Sequence, residues 1–128
     1  MTRAAAVDCG TNSIRLLIHD SESGEICRDM TIVRLGEGVD ATGRFTAEAI
    51  ERTRDALATF VERMSSEGVE AVRMVATSAT RDAANRDEFF SMTRQLLGRI
   101  QAGAVAEVIT GEEEAALSFR GATTDIDD

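Results

Sequence analysis

The sequence predicts an α/β domain in which a mixed five-stranded sheet, an antiparallel meander plus two crossover strands, carries helices on its faces. Three observations lead there. Residues 3–35 hold three short apolar runs separated by brief Gly- and Ser-containing turns, the pattern of strands that pair in sequence. The hydrophobic period then becomes helical over residues 46–68, and again over 85–98. Each helical stretch is followed by a short apolar run (69–79 and 104–109), as expected of strands that join a sheet through a crossover.

Taken in order, "RAAAVDC" (3–9) and "IRLLIHD" (14–20) read as two strands of a hairpin, with the turn "SESG" at 21–24 leading to a third strand from Glu25 to Leu35. "GEGVDATGR" (36–44) has three glycines and little apolar content, and reads as a loop. The first long helix places Ile50, Arg54 or Thr53, Leu57, Phe60, Val61 and Met64 at helical spacing, with Thr46 as N-cap, Glu48 at the positive end and Gly68 as stop. "NRDEFFSMTRQLLG" brings Phe89, Met92, Leu96 and Leu97 onto one face and ends at Gly98, and "GEEEAALSFRGA" predicts a third helix. The compact unit is expected to span residues 1–122, with the acidic "TTDIDD" (123–128) as a tail or linker.

Composition narrows the function classes. No apolar run is long enough to cross a bilayer, and the start is too short for a signal-peptide core, so the expected compartment is the cytoplasm. Cys9 and Cys27 are expected to be free thiols; neither they nor the lone His19 shows metal-site spacing, and none is assigned a role. A net charge of −9, from 23 acidic and 14 basic residues, argues against nonspecific binding to nucleic acid or an anionic membrane. An anionic ligand must therefore be held by a local site.

Three places can carry chemistry. In "VDCGTNSIRLL", Asp8 ends a strand and Gly10, Thr11, Asn12 and Ser13 follow, all small. Such a turn offers backbone N–H groups, two hydroxyls and an amide to a phosphate, while Asp8 suits Mg²⁺; an ordinary hairpin turn uses the same residues. In "ATSATRDAANRD", Arg81 follows a strand and its planar fork suits a phosphate, the other reading being Thr80 as an N-cap and Arg81 as a surface cation. In "EVITGEEEAALSF", Thr110 and Glu113 form a capping box, and Glu112 favours the helix start through the macrodipole. Those two roles leave Glu114, spaced to face the core or a cleft near Leu117, as a general-base candidate.

In this order the stretches resemble the exopolyphosphatase / guanosine pentaphosphate phosphatase (Ppx/GppA) family. "DCGTNSIRLL" is similar to its D-x-G-[ST]-N-S-x-[RH] phosphate loop, "RLGEGVDATGRFTAEAIERT" to the segment entering its first long helix, "ATSATRDAANRDEF" to its arginine-bearing loop, and "EVITGEEEAALSF" to its catalytic-acid helix. The resemblance spans essentially the whole chain. It implies a ribonuclease-H-like domain of the actin/sugar-kinase ATPase superfold that hydrolyses a phosphoanhydride with Mg²⁺. The substrate would be inorganic polyphosphate, trimmed from its end, or the 5′-terminal phosphate of pppGpp. By position, the resemblance puts Asp8 at a metal-associated carboxylate, Gly10, Thr11, Asn12 and Ser13 on the first phosphate loop, Arg81 at a phosphate contact and Glu114 at the base.

One part of the family pattern is missing. Members carry a second, glycine-rich phosphate loop of the D-x-G-G-G-S type on a second domain, and these 128 residues contain none. The expectation is half a cleft, with the second domain as its partner and little or no activity alone. Dimerisation is left open. The competing readings are an ATP-dependent phosphotransferase of the same superfold and a noncatalytic polyphosphate- or nucleotide-binding module.

Overall fold

The computed structural model describes residues 3–37, 39–76 and 83–108. Its elements are β1 (Arg3–Cys9), β2 (Ser13–Asp20), β3 (Gly24–Ile32), α1 (Val39–Thr42), α2 (Ala47–Ser66), β4 (Ala71–Ala76), α3 (Arg86–Leu97) and β5 (Glu107–Val108). The five strands form one sheet in the order β3-β2-β1-β4-β5. β1 pairs antiparallel with β2, and β2 with β3, whereas β1–β4 and β4–β5 are parallel. This is the predicted meander extended by two crossover strands, a ribonuclease-H-like sheet.

Strand alternation divides the sheet into two faces. Ala5, Val7 and Cys9 of β1 and Ile14, Leu16 and Ile18 of β2 are buried on one of them. Against it lie Leu57, Phe60 and Met64 of α2 and Phe89 and Leu97 of α3, all at most 1% exposed. Thr53 is the buried member of the pair left open by the helical spacing, and Arg54 is exposed; the Thr53 hydroxyl donates back to the Ala49 carbonyl at 2.9 Å. On the opposite face Ala4, Ala6, Arg15 and Arg73 are exposed.

The ends of α2 follow their sequence signals. Thr46 Oγ1 accepts the Ala49 N–H at 3.0 Å. At the other end Val69 N–H reaches Met64 O (2.9 Å) and Gly68 N–H reaches Ser65 O (3.2 Å), with Gly68 at φ +74°. That is a Schellman motif, which needs the left-handed residue that glycine supplies at no steric cost.

The strands are shorter than their hydrophobic runs. β3 stops at Ile32, β4 starts at Ala71 and β5 starts at Glu107, because the flanking N–H groups have other acceptors. Val33 and Arg34 donate to Asn12 O, Val69 caps α2, Glu70 donates to Arg3 O, and Ala106 donates to Thr93 Oγ1. The predicted loop at 36–44 also contains α1, a single turn closed by Gly43 N–H on Val39 O at 2.6 Å with Gly43 at φ +72°. At four residues it is too short for a helical period to register in the sequence.

The sheet end far from the β1–β2 turn is tied by Asp20, whose side chain is fully buried. Its carboxylate accepts N–H groups from Glu22 (2.8 Å) and Ser23 (3.1 Å) and Arg3 Nε–H at 2.9 Å, while Arg3 also donates to Glu67 O at 2.7 Å. The Glu22 N–H first, then Arg3 and the Ser23 N–H, lower the Asp20 pKa to about 2 from an ordinary 3.8. Because the folded value lies below the unfolded one, the carboxylate stabilises the fold fully above about pH 4 and loses that contribution as pH falls toward about 2. Urea denaturation across that interval should show wild-type stability falling more steeply than that of Asp20→Asn. Parallel slopes would remove Asp20 as the cause.

Candidate functional site

The β1–β2 connection is three residues, Gly10, Thr11 and Asn12, closed by Gly10 N–H on Ser13 O at 2.9 Å. It is a hairpin turn, and more than that. Asn12 O accepts Val33 N–H (2.8 Å) and Arg34 N–H (2.9 Å), and Thr11 O accepts Gly36 N–H (3.0 Å). Both carbonyls therefore face the 33–36 turn. In a trans planar peptide the N–H opposes its carbonyl, so the N–H groups of Asn12 and Ser13 are turned to the other side. The result is a rim of donors with its acceptors engaged elsewhere, the polarity an anion needs.

Asp8 comes two residues before Gly10, half-buried, and strand alternation puts it on the face opposite Val7 and Cys9. Its Oδ1 is withdrawn from solvent. No cluster of three or more His, Cys, Asp or Glu side chains suited to a metal occurs among the described residues. A cation at Asp8 would therefore take no more than two such side chains from these residues and complete its shell with hydroxyls, water or ligand oxygens. A hard-oxygen set of this kind fits Mg²⁺ and not a soft metal. Neighbouring Cys9 points into the core, and burial, reinforced by the negative charge of Asp8, pushes its thiol pKa up to about 12. A thiol so held is poorly suited to nucleophilic attack. Cys9 and Cys27 are both free, and His19 is half-buried in β2.

Strand register aligns the carboxyl ends of the strands that precede the three sequence-predicted segments. Cys9 is level with Ala76 in β4, and Ala76 with Val108 in β5, all three strands being parallel. Cys9, Ala76 and Val108, the last described residues before the three predicted segments, thus lie side by side at the carboxyl ends of neighbouring parallel strands. That is where open α/β sheets bind ligands. Asp8, Gly10, Thr11, Asn12 and Ser13 lie together at this end, whereas Arg81, Glu112, Glu113 and Glu114 lie outside the described residues. Near the start of the Arg81 segment's return, the Asn85 amide clamps the Phe45 backbone, donating to its carbonyl at 3.0 Å and accepting its N–H at 2.9 Å.

Gly36 is a contributor that sequence reasoning placed only in a loop. A Cβ at this position would overlap Cγ2 of Thr11. Gly36→Ala should therefore destabilise the protein by about 1–3 kcal/mol in chemical denaturation, and adding Thr11→Ser, which lacks that methyl, should recover most of the loss. A neutral Gly36→Ala would show that the turn and the loop are not in close contact. Nothing local in the sequence announces this pair, which is 25 residues apart.

Known proteins resemble this chain in sequence and fold. Exopolyphosphatase 2 of Mycobacterium tuberculosis is 57% identical over 133 residues, covering 98% of this chain and 42% of that protein. A guanosine-5′-triphosphate,3′-diphosphate pyrophosphatase of Vibrio campbellii is 37% identical over 120 residues, covering 91% of this chain and 23% of that protein. The crystal structure of an exopolyphosphatase from Cytophaga hutchinsonii superposes with a TM-score of 0.79 at 30% identity, over 96% of this chain and 39% of that one. The chain thus spans less than half the length of each of these proteins. The sequence pattern that defines the Ppx/GppA phosphatase family matches residues 17–128, most of the sheet and both long helices, and the chain belongs to that family.

Proposed function

We propose that this chain forms one jaw of a phosphoanhydride hydrolase that releases the terminal phosphate of inorganic polyphosphate or the 5′-phosphate of pppGpp. The observation that carries the reading is the rim formed by the Asn12 and Ser13 N–H groups beside Asp8, at the sheet end where β1, β4 and β5 present neighbouring carboxyl ends. The relatives' names support the substrate class. The higher identity is to an exopolyphosphatase, which favours polyphosphate.

In this proposal the terminal phosphoryl group sits against the N–H groups of Asn12 and Ser13 and the hydroxyls of Thr11 and Ser13. The Arg81 guanidinium contacts its equatorial oxygens. Asp8 would hold Mg²⁺, which when bound neutralises charge on the phosphate oxygens. Glu114 accepts a proton from the attacking water as the water oxygen bonds to phosphorus. The bridging P–O bond breaks, and the shortened chain leaves with its electron pair. Positioning and charge stabilisation carry most of such a reaction, so a rigid, correctly polarised loop is the main requirement.

The test is phosphate release by the full-length protein from long-chain polyphosphate and from pppGpp, side by side. Release from neither substrate overturns the reading; transfer of labelled γ-phosphate from ATP to an acceptor instead of water would make the protein a phosphotransferase. The 128-residue chain alone is expected to release little or no phosphate, because one jaw leaves much of the transferred group facing water. Turnover by the chain alone at a rate comparable with the full-length protein would show that the second jaw is dispensable.

A further inference from the structure

Resting on that reading of the loop, we infer that Arg52 on α2 is a positioning residue for phosphate binding, acting through the turn at residues 33–36. Arg52 Nε–H donates to Val33 O at 2.8 Å, and Nη2 donates to Arg34 O at 3.3 Å and lies 3.8 Å from a Glu37 carboxylate oxygen. The same two residues turn their N–H groups onto Asn12 O, and Gly36 N–H reaches Thr11 O. One guanidinium therefore holds the carbonyl side of a turn whose N–H side holds the phosphate loop. Removing it loosens the turn, and the turn supplies the N–H groups that hold the Thr11 and Asn12 carbonyls away from the ligand.

A second observation shows that the turn needs holding. Arg34 has φ +50°, the only positive-φ residue other than glycine among the described residues. That conformation costs about 1–2 kcal/mol in a residue with a Cβ and persists only where its surroundings impose it. Glu37 N–H on Arg34 O (3.1 Å) closes the turn locally, and Arg52 adds the clamp from a helix already packed on the core. α2 is capped at both ends and buries one face, so Arg52 works from a rigid base.

The experiment uses the full-length protein and four variants: Arg52→Ala, Arg52→Lys, Arg34→Gly, and Arg52→Ala combined with Arg34→Gly. Arg52→Ala is expected to raise KM for polyphosphate by about tenfold, and Arg52→Lys to recover part of that, because an ammonium can still reach one carbonyl. In the double variant, glycine adopts the left-handed turn without the clamp, so KM should return to within about threefold of Arg34→Gly alone. A role limited to stability would lower Tm and leave KM unchanged, and that result overturns the inference. So does a double variant no better than Arg52→Ala. Amide exchange at Val33, Arg34 and Gly36 reads the brace without turnover: protection should drop in Arg52→Ala and return in the double variant. Unchanged protection sinks the brace even in a protein that hydrolyses nothing, whereas absence of wild-type phosphate release sinks only the functional reading.

Discussion

Glu114→Gln in the full-length protein is expected to lower kcat for phosphate release by about 10²–10⁴-fold, the usual worth of a positioned general base. KM should stay near the wild-type value, because the carboxylate acts on water in the transition state and adds little to substrate binding. Glutamine has the same shape and suits a helix as well as glutamate does, so loss of fold does not explain such a drop. In the sequence, a capping box would account for Glu113 and the macrodipole for Glu112, which leaves Glu114 as the base candidate, the position the family resemblance also implies. Steady-state phosphate release from polyphosphate checks it, with a pH profile as the second readout. Wild-type activity should fall on the acid side as the base is protonated, and the variant should lack that limb. Turnover within a few-fold of wild type would falsify the assignment.

The second large effect is on stability. Phe60 is the largest class of side chain in the core and only 1% exposed, on the face of α2 turned to the sheet. Phe60→Ala is expected to cost about 3–5 kcal/mol, the lost transfer energy of the ring plus the cavity it leaves. Against a total of about 5–15 kcal/mol for a small domain, that is a large share, and Tm should fall by roughly 10–20 °C. Phe60→Leu, which keeps most of the volume, should cost about 1.5 kcal/mol or less. Thermal and urea unfolding of both variants check the pair. If Phe60→Ala is no worse than Phe60→Leu, α2 is not seated on the sheet as described. The 10–13 loop would suffer with it, since Arg52 reaches the 33–36 turn from the same helix.

The comparison of sequence with structure turns on where the information sits. Helix α2 was legible to its last turn: Thr46 caps it, Leu57, Phe60, Val61 and Met64 face the core, and Gly68 takes the left-handed conformation. These signals are local, a few residues apart, and each has one dominant physical meaning. The antiparallel meander followed from its short turns and the two added strands from their helical crossovers, whereas the side on which β4 joins, next to β1, is a result of the folded sheet. Strand ends were not legible. β3, β4 and β5 are each trimmed where a backbone N–H finds a better acceptor at long range, on Asn12, on the α2 C-terminus or on Thr93. Hydrophobic pattern records which side chains are buried and carries no record of backbone partners.

The same division runs through the site. By itself the sequence determined the chemical inventory: Asp8 next to a small-residue turn, Arg81 after one strand, Glu114 left over at a helix start, and the family to which that order belongs. It could not distinguish a hairpin turn from a phosphate loop, since Gly, Asn and Ser serve both. Tertiary structure bears on that choice, because the distinguishing property is which way the peptides face. Asn12 and Thr11 turn their carbonyls to residues 33, 34 and 36, and those residues are held by Arg52 from another element. Peptide orientation is set by partners 20 or more residues away in sequence, so it exists only once the sheet, the turn and α2 have come together.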